Sequence, residues 1–221
     1  MESKKILSFS KAVLDLAVVF GVAFLVNTYV ASAIQVDGIS MCNTFNFSDG
    51  KCREGKGERI FVDKIGFQNI FGNTLEKLKR GDIIVFHPPE KAKLFYVKRI
   101  IGLPGETVEL KKGKVYIYNN DHSAGFELIE PYLNKENKNK TYLPSQKETE
   151  NGVKFLVPQN HFFVLGDNRR RSLDSRFCFK QNSPSLKCDD PNEISHFVES
   201  KKIEGKALAT LWPLDKIKFL P

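Results

Sequence analysis

The sequence predicts a mainly β fold: an antiparallel, barrel-like domain with a smaller cap or insertion and one N-terminal transmembrane helix. Three observations predict it. Residues 13–33 are almost wholly apolar, and a helix needs roughly 20 such residues to cross a bilayer core. Beyond Ala33, short runs rich in β-branched and aromatic residues recur, with few helical periods. No βαβ alternation appears, so a parallel sheet is not expected.

In chain order, residues 1–12 form a short tail, 13–33 the spanning helix and 34–221 a β-rich domain. Lys4, Lys5 and Lys11 precede the apolar run, and no basic residue follows it until Lys51. That asymmetry places the N-terminus in the cytoplasm and the rest on the outer face of the cytoplasmic (inner) membrane. Asp15 falls near the inner edge, where a charge is tolerated. Tyr29 suits the outer interface. A cleaved leader ending at Ala31-Ser32-Ala33 competes with this reading, although the apolar run is longer than a leader needs. A buried core helix is a third reading.

The predicted strands are Arg59–Lys64, Asp82–Phe86, Phe95–Ile101, Thr107–Leu110, Lys114–Tyr118, Lys154–Val157, His161–Leu165, Ala207–Leu211 and Lys216–Leu220. Lys112-Gly113 reads as a tight hairpin turn. A cap or insertion is expected over about 112–157, and within it Tyr132–Asn151 is polar enough to be a surface loop or small cap. A Cys-flanked insertion is expected over about 178–195. Loops of this length are usually functional or disordered.

Composition narrows the function. Apolar residues make up 41% of the 221, enough for a folded core. The 34 Lys and Arg against 26 Asp and Glu give a charge of +8. No basic stretch is interleaved with aromatics, so a Lys-rich solvated surface is favoured over a nucleic-acid groove. Cys42, Cys52, Cys178 and Cys188 form no C-x-x-C pair, which weakens a zinc or thioredoxin reading. Outside the cytoplasm an even count suggests two disulfides, and three pairings remain open.

Ser40 lies just past the apolar run, and a serine needs a base to act as a nucleophile. None of the four histidines (His87, His122, His161 and His196) completes a convincing triad. Lysine can replace histidine as the base. It must first become neutral, and a free lysine has a pKa of about 10.4. Burial lowers that value, because the charged form loses its hydration. Lys98 has a fitting context between Phe95-Tyr96-Val97 and Arg99-Ile100-Ile101, and strand alternation puts Tyr96, Lys98 and Ile100 on one face.

Four segments in order resemble the bacterial type I signal peptidases, the Ser/Lys leader peptidases. They are Gly38-Ile39-Ser40-Met41, Lys79-Arg80-Gly81-Asp82-Ile83-Ile84-Val85-Phe86, Tyr96-Val97-Lys98-Arg99-Ile100-Ile101-Gly102-Leu103-Pro104-Gly105-Glu106, and Gly166-Asp167-Asn168-Arg169 through Ser172-Leu173-Asp174-Ser175-Arg176. The resemblance runs from the anchor to about Trp212, and its last two boxes together are highly specific. It implies a serine endopeptidase with Ser40 as nucleophile and Lys98 as general base. Ser172 would orient the Lys98 amine. Asp174 and Arg176 would form a structural ion pair, and Gly166, Asp167 and Asn168 would support the site. Ile34, Val36, Met41, Tyr96 and Val97 match positions that line substrate pockets. No metal and no organic cofactor are implied. The implied partners are signal peptides of secreted pre-proteins cut after A-x-A-like sites, membrane lipid and nearby export machinery; no nucleic acid is implied.

The chain departs from the family pattern in places. Asn43 stands where proline is usual, and Arg170 and Arg171 stand where acidic or amide residues are usual. The two extra cations could depress the Lys98 pKa or point to solvent. The Cys-flanked stretches after Ser40 and after Arg176 look like additions near the active-site end. Some members carry an oxyanion-binding serine hydroxyl two residues before the nucleophile; Gly38 stands there, which leaves the Ser40 N–H as the expected donor. These departures motivate two alternatives: a specialised Ser/Lys peptidase maturing one or few substrates, of conjugation or pilus type, and a catalytically inactive membrane-tethered binding module. A cytoplasmic self-cleaving repressor shares the dyad logic, but an apolar helix rather than a DNA-binding element precedes Ser40.

Overall fold

The computed structural model describes residues 2–55, 57–65, 78–88, 94–143, 152–180, 188 and 190–220, with side chains of the opening helix described from Phe9 onward. Helix α1 spans Glu2–Leu25 and is followed by a π-helical turn over Val26–Val30. Every residue from Phe9 to Asn27 is exposed, so this helix belongs to no protein core. The stretch Phe9–Val30 is long and apolar enough to cross a membrane. The helical segment therefore stops short of the predicted end at Ala33. Ala31, Ser32 and Ala33 instead lie in strand β1 (Ala31–Gln35), paired with Asp63, Val62 and Phe61. A cut after Ala33 would strip more than half of an edge strand from its sheet.

The strands that follow are β2 (Phe47–Ser48), β3 (Lys51–Cys52), β4 (Arg59–Asp63), β5 (Ile83–Phe86), β6 (Tyr96–Gly102), β7 (Thr107–Lys111), β8 (Lys114–Tyr118), β9 (Phe126–Glu127), β10 (Val153–Leu156), β11 (His161–Leu165), β12 (Val198–Glu199), β13 (Ile203–Trp212) and β14 (Lys218–Phe219). Each of the nine predicted runs overlaps a strand. The fold is mainly β, and every strand pairing among the described residues is antiparallel. The larger sheet runs β1-β4-β13-β5-β6-β11-β12, with β14 attached to β13, and curls into an open half-barrel. A second sheet, β10-β7-β8-β9, begins at Thr107. Lys112 and Gly113 both take positive φ, 50° and 74°, as the tight turn between β7 and β8 requires. A Cβ on Gly113 would also collide with the Asn139 carbonyl.

Side-chain alternation explains the sequence pattern. In β5 all four residues are buried. Ile83 and Val85 enter a cluster with Val36, Met41, Phe45, Ile60, Val62 and Val97. Ile84 and Phe86 enter a second cluster with Ile100, Phe162, Val164 and Phe179. A strand packed on both faces reads as an unbroken apolar run. A third cluster joins the two sheets through Ile101, Val108, Leu110, Ile117, Phe155 and Phe163.

The expected surface loop or small cap over Tyr132–Asn151 is exposed at Lys135, Glu136, Lys138, Asn139 and Lys140 and buried at two positions. Of Tyr132–Asn151, residues 144–151 lie outside the described set; Asn137 and Thr141 are buried, and the Arg99 guanidinium carbon sits over the Tyr132 ring, 3.9 Å from its centre. The stretch is polar for two reasons: its exposed lysines, Glu136 and Asn139 face water, and Thr141 helps to satisfy a buried cation. Glu130 and Thr141 both bind the buried Arg169.

Candidate active site

Ser40 sits in the turn after β1, and its position is fixed from several sides. Asn46 is buried, donates through Nδ2 to Val36 O and Gly38 O, and accepts from Glu58 N. It thereby ties the segment entering Ser40 to the segment entering β4. Behind Ser40, Asn168 N–H donates to Ser40 O at 2.9 Å and Asn168 Nδ2 to Ile39 O at 3.1 Å. Gly166 is required by close approach, since a Cβ there would lie 2.1 Å from Ser172 Oγ and 2.5 Å from Ser40 O.

Lys98 comes from the middle of β6, opposite Ile84 on β5. Its Nζ lies 2.7 Å from Ser40 Oγ and donates to Val97 O at 3.0 Å. The side chain is only 3% exposed. Burial pulls its pKa from 10.5 down to about 8; the carboxylates of Asp174 and Asp167 resist that shift, and the Arg176 guanidinium adds to it. The cation that helps is thus Arg176. Arg170 and Arg171 are both exposed.

The supporting loop is a set of buried ion pairs. Asp167 takes Arg99 in a two-pronged bond, 2.9 Å from Nε and 2.7 Å from Nη2, and also accepts Thr44 Oγ1. Asp174 accepts Arg176 Nε and Nη2, both at 2.9 Å, and Gly166 N at 3.1 Å. Burial alone would raise the Asp174 carboxyl, but the Arg176 charge and these bonds hold it below the usual carboxylate range. Ser172 does not meet its expectation. Its Oγ is buried and turned to the Asp174 carboxyl, which it helps to hold ionised, while Lys98 Nζ bonds Ser40 and Val97 instead.

Both cysteine bridges are local. Cys42 pairs with Cys52 and Cys178 with Cys188. The first closes the β2–β3 hairpin directly onto the residue two past Ser40. The second brings His196 close to its sulfurs. Those sulfurs are spent on each other, and the imidazole nitrogens contact Ser175 O and Asp190 O, so the trio does not fit a metal. Asn43 has φ 77°, a conformation closed to proline, whose ring holds φ near −65°. The turn behind Ser40 therefore runs differently from one built on proline.

A cavity of about 350 Å³ opens beside the Ser40–Lys98 pair. Ile34, Val36, Tyr96 and Val97 line it, together with Arg171, which the sequence marked only as a departure from the family pattern, and Leu173, which it did not mark as a cavity residue. Met41 does not. It is fully buried in the core behind the nucleophile, because the turn at Ser40 sends the next side chain inward. Asn46 was also missed, since a lone asparagine in a turn-rich stretch carries no distinguishing signal. Arg99 was legible only as part of its box.

The family model described as "Signal peptidase, peptidase S26" matches residues 9–212. The chain belongs to that family. Signal peptidase I S of Bacillus subtilis is 36% identical over 175 residues, covering 79% of this chain and 80% of its own. Signal peptidase I P of Bacillus subtilis subsp. natto is 34% identical over 218 residues, covering 98% and 95%. A solved signal peptidase I from Enterococcus faecalis is 31% identical and covers 58% of this chain and 95% of its own, with a TM-score of 0.39. That overlay is too loose to define the fold, which the strand pairings define by themselves. Membership makes the chain a serine endopeptidase of the signal peptidase I type, acting in signal-peptide removal.

Proposed function

We propose that this peptidase removes signal peptides with Ser40 as nucleophile and Lys98 as general base, after small residues in A-x-A-like sites, while held at the outer face of the cytoplasmic membrane by α1. The observation that carries the reading is the 2.7 Å approach of a buried lysine amine to a serine hydroxyl. With a pKa of about 8, roughly a tenth of the amines are neutral at pH 7. A neutral Nζ takes the Ser40 proton as Oγ attacks the scissile carbonyl. The oxyanion that forms is met by the Ser40 N–H, which bonds to no described residue. The protonated amine then returns its proton to the leaving amine, and water repeats the sequence on the acyl-enzyme. Asp167, Asn168, Asp174 and Arg176 hold the two reacting groups together. Ser172 would orient the amine only by turning its Oγ from Asp174 toward Nζ.

The substrate segment binds extended along β1 and the first half of β6. β11 pairs with β6 only from Arg99 onward, so Tyr96–Lys98 keep one edge open for strand addition. Alternate substrate side chains would enter the cavity lined by Ile34, Val36, Tyr96 and Val97. The anchor keeps enzyme and membrane-held substrate in one thin layer and so raises their effective concentration. Lipid and the export machinery are the implied neighbours.

Purified full-length protein should process a pre-protein in detergent or vesicles, with Ser40→Ala and Lys98→Ala each lowering the rate at least 1,000-fold, on the order of a lost triad member. Full activity in either variant would refute the dyad. A narrower reading is a peptidase devoted to one or few substrates, favoured by the bridged hairpin beside Ser40 and by the Arg171 cation at the cavity. Efficient processing across a panel of unrelated pre-proteins would exclude it.

A further inference from the structure

Phe179 is a bulky residue in an uncommon conformation. It has φ 59°, directly after Cys178 at φ 49°. Left-handed backbone at a non-glycine residue costs roughly 1–2 kcal/mol and persists only where its surroundings enforce it. The surroundings are specific. Cys178 is bridged to Cys188, and Phe179 N–H donates to Asp174 O at 3.2 Å. The loop of Asp174 and Arg176 therefore leads straight into Phe179. Its ring is 3% exposed. It meets Phe86 edge-on at 5.4 Å and Tyr96 at 6.5 Å, while Phe86 meets Tyr96 at 6.3 Å.

Tyr96 is the member of this trio that matters for substrate. It lines the cavity next to Ser40, and its ring lies 5.2 Å from Lys98 Nζ. The ring is half-buried, so one side borders the cavity and the other rests on Phe86 and Phe179. Phe86 is fixed within β5. Phe179 comes from a loop and is held by the bridge and the strained turn.

We infer that Phe179, braced by the Cys178–Cys188 bridge, is a positioning residue that presses Tyr96 forward as a cavity wall and so restricts the site to small side chains. The inference rests on the peptidase reading of the Ser40–Lys98 pair. Without the Phe179 ring, Tyr96 can settle backward into the vacated space and the cavity deepens. A purely space-filling phenylalanine would instead lower stability and slow all substrates alike.

The test uses full-length protein and one pre-protein carrying Ala, Val or Leu immediately before the scissile bond. Wild type should process the Ala form far faster than the others. Phe179→Ala should reduce the Ala-over-Val ratio of kcat/KM by about tenfold, the scale on which an apolar pocket discriminates a methylene or two. Phe179→Leu should give a smaller reduction, and Phe179→Tyr, which keeps the ring, should restore the wild-type ratio. The double change Cys178→Ser with Cys188→Ser should move the ratio in the same direction as Phe179→Ala. If Phe179→Ala fails to fold, the Leu variant and the double variant decide. An active wild type with an unchanged ratio in all the variants overturns this inference alone. A wild type that cleaves no form overturns the peptidase reading and this inference with it.

Discussion

At Lys98 the site must bury an amine and still let it titrate. Burial lowers its pKa to about 8, so the base is neutral above that pH and charged below it. The acid limb of kcat/KM should therefore rise through about pH 8 and flatten above it, a profile measurable with a peptide substrate. Stability should follow the same group. Between about 8 and 10.5 the folded chain binds fewer protons at Lys98 than the unfolded chain, so wild-type stability rises with pH across that window. Lys98→Met should be inactive yet more stable near pH 7, by at most on the order of 3 kcal/mol. Denaturant titrations should show that gain vanishing above about pH 10.5. Two backbone positions give sharper contrasts. A Cβ at Gly38 would meet nothing within 4 Å, so Gly38→Ser has room to supply a second oxyanion donor. It should raise kcat by up to about tenfold, a fraction of the effect of losing a donor. Asn43→Pro would install the residue usual in the family at φ 77°. It should destabilise by about 3 kcal/mol, whereas Asn43→Gly should be tolerated; thermal melts of the two variants separate these outcomes.

Among the elements, the long and strongly patterned strands were readable from the sequence, and the short ones were not. β5 announces itself as an apolar run buried on both faces, and β6 as a run of aromatic and β-branched residues around Lys98 and Arg99. The β2–β3 hairpin has only two residues in each strand and too little periodicity to show. Its importance comes from the Cys42–Cys52 bridge, which holds it against the nucleophile turn, and from Asn168 Nδ2, which spans Ile39 O and Cys52 Sγ. Cys42→Ser with Cys52→Ser should cost about 2–3 kcal/mol, the scale for a short closed loop. It should also lower activity on every substrate alike, unlike the change expected at the other bridge. The Arg99–Asp167 pair is buried on both sides, at 2% and 1% exposure. Removing one partner strands the other charge, so Arg99→Ala should lose about 3–5 kcal/mol, seen as a lowered midpoint in denaturant.

For the whole molecule, the apolar helix runs into the β-domain without a linker. The π-helical turn passes directly into β1, and Lys64 Nζ reaches back to Asn27 O. Removing residues 1–30 leaves β1 intact. Such a truncated chain should cleave a soluble peptide within about threefold of the full-length rate while losing on the order of 100-fold on vesicle-held pre-protein, because only the shared bilayer raises local concentration. The sequence by itself determined the apolar N-terminal helix and the antiparallel β class, and it named Ser40, Lys98, Asp174 and Arg176 as candidates, since each is written in periodicity, in charge asymmetry or in contiguous boxes. Only the tertiary structure decided which cysteines meet, that Met41 faces the core, that Ser172 makes no bond to Lys98, that Asn46 ties the Ser40 turn to the segment before β4, and that Phe179 packs on Tyr96. Those facts depend on where a turn aims a side chain and on contacts between residues far apart in the chain, and neither leaves a local trace in the order of amino acids.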